Sequence, residues 1–154
     1  MKILLTGANG FVGRECARNL REAGHQVVST DRNGSMDRVG DLAVEDFCAS
    51  LPDVDAVIHA AAVQYVSADL PLLAREEYFQ KNNVDATKLL VARYSGTSTH
   101  FVNVGTSMMY AQNRSPVYRI DSPKQGQGVY SRSKLSAQRF VESAQLHWAT
   151  LIPC

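Results

Sequence analysis

The sequence predicts a doubly wound α/β fold: a parallel sheet of about six strands in order 3-2-1-4-5-6, with helices on both faces and right-handed crossovers. Three observations predict it. Short apolar runs recur at Lys2–Leu5, Asp55–His59 and His100–Val104, as buried parallel strands do. Amphipathic helical patterns separate them, and a glycine turn joins the first run to the first helix.

That turn reads Thr6-Gly7-Ala8-Asn9-Gly10-Phe11-Val12-Gly13, and Val12, Cys16, Leu20 and Ala23 then mark a helical stripe. A helix starting here offers unpaired N–H groups and the positive end of its dipole, which suits a phosphate. Gly7 permits the sharp turn, Gly10 clears room for a pyrophosphate and Gly13 lets the helix pack close. A plain turn is the alternative; the strand before and helix after favour a dinucleotide site.

Gly24 stops the helix, and His25–Thr30 forms a second strand ending at Asp31. An acid there accepts from both adenosine ribose hydroxyls and repels a 2′-phosphate, so NAD is preferred, while Arg32 keeps NADP open. A helix-capping or loop carboxylate is the other reading of Asp31. A short strand with Arg38-Val39 follows, then Asp41 and Leu42, which can contact adenine, cap the helix predicted over Ala43–Leu51, or both. Val44, Phe47, Cys48 and Leu51 form that helix's apolar face.

The strand at Asp55–His59 runs into Ala60, Ala61 and Ala62, small enough for a flat cofactor to lie against the backbone. His59 reads as a packed strand-end histidine before it reads as a catalyst. Along a helix from Ala74 to about Tyr94, the stripe Phe79, Asn83, Ala86, Leu90 and Tyr94 contains one polar anomaly, Asn83. It must satisfy a local backbone break or organise a water. His100–Val104 is a fifth strand, with Thr106 and Ser107 past its carboxyl end, where such sheets place chemistry.

The polar segment Ala111–Gly128, with Pro116 and Pro123, reads as a mobile substrate-facing loop. Tyr130 opens the last helix, with Ala137, Phe140, Val141, Ala144 and Trp148 as its stripe, and Ala149–Ile152 is a sixth strand. Tyr130 and Lys134 share a helix face, and an ammonium beside a phenol draws its pKa down from about 10 towards that of a general base.

Composition bounds the partners. The 154 residues fit one domain, and a net charge of +1 gives no reason to expect nucleic acid or a membrane surface. Cys16, Cys48 and Cys154 match no disulfide or zinc spacing, and His25, His100 and His147 share no spacing with His59, so no metal site is expected. No signal or membrane-spanning run stands out, which points to a cytoplasmic protein.

Together these pieces resemble the extended short-chain dehydrogenase/reductase family, the NAD-dependent epimerase/dehydratase group acting largely on nucleotide sugars. The matches are Thr6–Gly13, Asp31, Gly40-Asp41-Leu42, His59-Ala60-Ala61, Asn83–Thr87, Thr106–Tyr110 and Tyr130–Lys134. The resemblance implies a Rossmann fold with an NAD(P)-binding domain over residues 1–154. It also implies a catalytic set: Tyr130 as general base, Lys134 lowering its pKa and binding the nicotinamide ribose, Thr106 (or Ser107) as the active-site hydroxyl, and Asn83 in the proton relay.

Some positions depart from the family. Ser107-Met108 replaces the Asp-Glu of the 4,6-dehydratases, Ala86 replaces a usual glycine, and Ile152 stands where an arginine is frequent. The family's substrate domain is absent from these residues, so the expectations are either a nucleotide-sugar epimerase or oxidoreductase, or a non-catalytic dinucleotide module. A homo-oligomer or complementing subunit, with self-association through an exposed apolar edge, is expected with either.

Overall fold

A computed structural model describes residues 1–66, 69–111 and 117–153; Pro116 and Cys154, both used above, lie outside them. The elements run β1 (Lys2–Thr6), α1 (Phe11–Glu22), β2 (Gln26–Asp31), β3 (Arg38–Val39), α2 (Glu45–Ala49) and β4 (Ala56–His59). Next come α3 (Leu72–Phe79), a π-helical turn (Gln80–Asp85), α4 (Ala86–Tyr94), β5 (His100–Val104), α5 (Val129–Ser143) and β6 (His147–Leu151). The sheet order is β3-β2-β1-β4-β5-β6, every neighbour parallel, as the sequence predicts for a Rossmann-type fold.

Register decides what each face carries. Leu4, Val57 and Phe101 lie side by side across β1, β4 and β5 and are fully buried beneath α2, α4 and α5, with Cys48, Leu90, Tyr94 and Val141 completing the core. Each such aliphatic side chain contributes about 1.5–3 kcal/mol by leaving water. The opposite face carries Leu5, packed with Ala8 and Ala17 beneath α1.

Several elements differ from expectation for identifiable reasons. On α1, Gly13 and Ala17 are buried, while Val12 and Ala23 are exposed and Cys16 and Leu20 half-buried. The close approach at Gly13 turns the helix's smallest residues inward: a Cβ there would sit 2.0 Å from the Gly7 carbonyl oxygen. α2 begins at Glu45 rather than Ala43, because the Asp41 carboxylate accepts from the Ala43 N–H and makes a turn there instead. β6 starts at His147, where pairing with His100 extends it. Trp148 therefore lies on β6, and α5 ends before Ala144. Phe140 is also partly exposed, with the Lys88 ammonium 4.4 Å over its ring.

The long helix is interrupted. Residues 80–85 take a π turn, whose extra residue shifts the facing of everything around it, yet Phe79, Asn83, Ala86, Leu90 and Tyr94 are all buried as the stripe predicts. In the described part of the segment 111–128, backbone bonds from Ala111 to Pro123 and from Gln125 and Gly126 to Met109 fasten residues 123–126 to the short 3-10 turn Ser107–Met109 that follows β5 and to the residues just after it. No helix among the described residues is long and apolar enough to cross a membrane.

Candidate functional site

A crevice of about 300 Å³ opens where the carboxyl ends of β1, β2 and β4 meet. Gly7, Asn9, Gly10, Asp31, Arg32, Asp41, Leu42, Ala60, Ala61 and Ala62 line it, all of them picked out from the sequence. Gly7 has φ +69°, and a Cβ there would lie 2.6 Å from the Ala61 nitrogen, so the glycine turn and the alanine run touch backbone to backbone. Among the described residues no side chain caps α1, which leaves its first-turn N–H groups for a ligand. Asp31 accepts from the Asn9 N–H at 3.0 Å and the Arg32 N–H at 2.7 Å, which fixes the carboxylate at the crevice wall. An uncapped helix start, a glycine-shaped wall and an anchored acid fit the pyrophosphate and ribose of a dinucleotide.

Three glycine-loop residues take other positions. Phe11 is 93% exposed, Val12 borders an apolar hollow with Cys16, Leu20 and Ile58, and Gly13 serves the packing of α1. Asn33, Gly40, Val63, Asn82 and Ala86 also line the crevice, and sequence reasoning did not assign them there. For Val63 the signal was its place directly after the alanines. For Asn82 there was none, because on a regular helix residues 82 and 83 face about 100° apart and only the π turn brings both into use.

Asn83 resolves its anomaly through backbone and side-chain partners. Its Nδ2 donates to the Val63 carbonyl at 2.9 Å and to the Ser133 hydroxyl of α5 at 2.9 Å, while its Oδ1 accepts from the Val63 N–H at 2.8 Å. It thus joins the crevice wall to the helix bearing Tyr130 and Lys134. His59 is the packed histidine of the plainer reading. Thr87 donates to the Asn83 carbonyl at 2.6 Å, so toward His59 Nε2 it must accept, at 2.9 Å. His59 Nδ1 then accepts from the Thr6 hydroxyl at 2.7 Å, and Thr6 accepts from the Ala61 N–H at 3.2 Å. Burial, and secondarily the Lys134 charge, push His59 down to about 3, so it stays neutral.

Thr106, Tyr130 and Lys134 stand outside the crevice lining, on the β5 and α5 side. Burial raises the Tyr130 phenol above its ordinary value, a hydrogen bond with Thr106 pulls it back, and Phe79 packs 6.1 Å from its ring. Burial also pushes Lys134 down to about 8. The net direction for the phenol is upward, with burial its largest cause. Both groups are desolvated, and burial outweighs their proximity on the helix.

The sequence matches the NAD dependent epimerase/dehydratase family over residues 3–154. It is 33% identical to a dTDP-4-dehydrorhamnose reductase of Burkholderia thailandensis, across 97% of this chain and 48% of that protein. A 3-beta-hydroxysteroid dehydrogenase of Mycolicibacterium neoaurum is 28% identical, across 91% of this chain and 42% of its own. Among solved structures, MoeE5 in complex with UDP-glucose and NAD superimposes with a TM-score of 0.82 at 25% identity, covering 99% of this chain and 53% of the other. The chain therefore spans about half the length of the relatives it matches. With that fold, that crevice and a match over nearly all its residues, the chain belongs to the NAD dependent epimerase/dehydratase family.

Proposed function

We propose that residues 1–154 form an NAD(P)-binding unit that holds NAD in the crevice. With a substrate present, the unit oxidises a secondary alcohol, as a cytoplasmic epimerase or oxidoreductase of the nucleotide-sugar type. The supporting relatives include reductases and epimerases of nucleotide sugars, one of them a UDP-glucose 4-epimerase of Corynebacterium glutamicum. Bound NAD would supply the acceptor for the hydride leaving the alcohol carbon.

The protein's residues do the rest. Gly7, Gly10 and the start of α1 receive the pyrophosphate, Asp31 accepts from the adenosine ribose, and Asp41 and Leu42 flank the adenine. Tyr130 takes the hydroxyl proton, Thr106 past the end of β5 orients the same substrate oxygen, and Lys134 binds the nicotinamide ribose. Asn83 keeps the crevice wall and α5 in register. The single observation that carries the reading is the crevice at the carboxyl ends of β1, β2 and β4, where the Gly7–Ala61 backbone contact, the uncapped start of α1 and the anchored Asp31 meet. A non-catalytic dinucleotide-binding subunit, alone or as one half of a larger assembly, is the second reading. It is favoured by burial, which raises Tyr130 and so leaves less of it as the phenolate that a base must be.

Titration with NAD tests the binding step. Incubation with NAD and UDP-, dTDP- or GDP-sugars, followed for reduced nicotinamide and for epimerised sugar, tests turnover. Tyr130→Phe should bind NAD unchanged and lose about 10²–10⁴-fold in rate. Activity that survives the substitution removes Tyr130 from the mechanism, and NAD binding without turnover on any sugar leaves the subunit reading.

A further inference from the structure

We propose that Asn82 sets the choice between NAD and NADP by holding Arg32 away from the place that a 2′-phosphate would take. The inference rests on the dinucleotide reading of the crevice. Among the described residues, Arg32 is the one cation lining it, beside the Asp31 carboxylate. Asp31 cannot turn aside, because the Asn9 and Arg32 N–H groups each hold one of its oxygens.

Arg32 could offset that repulsion only if its guanidinium were free to meet a phosphate. It is engaged elsewhere. Its Nη1 donates to Asn82 Oδ1 at 2.7 Å, reaching from the end of β2 to the π turn. Asn82 in turn donates its Nδ2 to the Tyr78 carbonyl at 2.7 Å, so the amide is anchored on its own helix. A second tie on the same turn, Lys81 to Asp41 at 3.7 Å, fastens the neighbouring part of the rim. Turning the guanidinium to a two-pronged contact with a 2′-phosphate would compete with the Arg32–Asn82 bond, whereas NAD makes no such demand.

The test is titration of both nucleotides into the wild-type protein, Asn82→Ala, Arg32→Ala and the double variant. The wild type should prefer NAD. Asn82→Ala should tighten NADP by about fivefold, the worth of one such hydrogen bond, and leave NAD within about twofold. Asn82→Asp, which keeps the tie as an ion pair, should move the ratio further towards NAD. In the Arg32→Ala background the Asn82 substitution should do nothing. An NADP to NAD ratio unmoved by Asn82→Ala, or a shift that persists without Arg32, overturns the inference while NAD binding stands. A wild type that binds neither nucleotide overturns the dinucleotide reading and this inference with it.

Discussion

The two sides of the sheet make opposite use of the same parallel pairing. β1 is central and buried along four of its five residues, with α1 against one face and the α2, α4 and α5 layer on the other side. Among the described residues β6 is an edge strand paired only with β5, and His147, Trp148, Ala149 and Leu151 are exposed on it. Pairing a strand satisfies its backbone, but covering both faces is what makes its side chains stabilising. The crevice opens on the enclosed side, where backbone packs against backbone at Gly7 and Gly13, and Thr106 and Tyr130 lie towards the open one.

The sharpest break of this contrast is at glycines. Gly13→Ala would drive a Cβ to 2.0 Å from the Gly7 carbonyl oxygen, and we expect a loss of about 4 kcal/mol in urea unfolding. Gly105→Ala just past β5 meets side chains rather than backbone at its nearest contacts, Met109 at 3.0 Å, Thr150 at 3.1 Å and Ile152 at 3.4 Å, and should cost about 1–2 kcal/mol. Equal losses would mean that the two sides are packed alike. Next in size is Leu4→Ala, fully buried, at about 3 kcal/mol by the same measurement.

The buried titratable pair gives the contrast a pH axis. His59 is held to about 3 in the fold against about 6.5 in an unfolded chain, so the unfolded state binds the extra proton between those values. Stability is full above about 6.5 and falls as pH drops through that window; His59→Gln should flatten this part of a pH series of melts. Lys134, lowered to about 8, has the same sign in a higher window. Stability rises from about pH 8 to about 10.4 as the unfolded lysine gives up its proton, and Lys134→Met should abolish that rise. The smallest effect belongs to the edge: Leu151→Ala, at a position 58% exposed, should change stability by less than about 0.5 kcal/mol. A larger loss would show that in solution something covers that face.

Much of the crevice was legible because its requirements are local. A left-handed φ at Gly7, small side chains at Ala60–Ala62 and an acid ending β2 are each written in neighbouring residues. The stripe through Asn83 was legible too, since burial follows helical spacing even across the π turn. What stayed hidden depended on contacts remote in sequence. Asn82 reaches Arg32 only because β2 and the π turn flank one crevice, and the Val12 stripe gave way to Gly13 and Ala17 because α1 leans on the glycine turn. The balance at Tyr130 was hidden for a related reason, since spacing places an ammonium on the same helix face but does not show that burial raises the phenol and lowers the lysine.

The amino-acid order by itself determined the strand sequence, the glycine turn and the chemical types around it, because strand runs, helical periodicity and turn geometry are short-range properties of a chain. Only the tertiary structure decided the neutral, single-tautomer state of His59, the engagement of Arg32 by Asn82 and the protonation balance of Tyr130 and Lys134. Each of these is an energy of desolvation or of a hydrogen bond between segments far apart in sequence, and such energies exist only once the segments have been packed together.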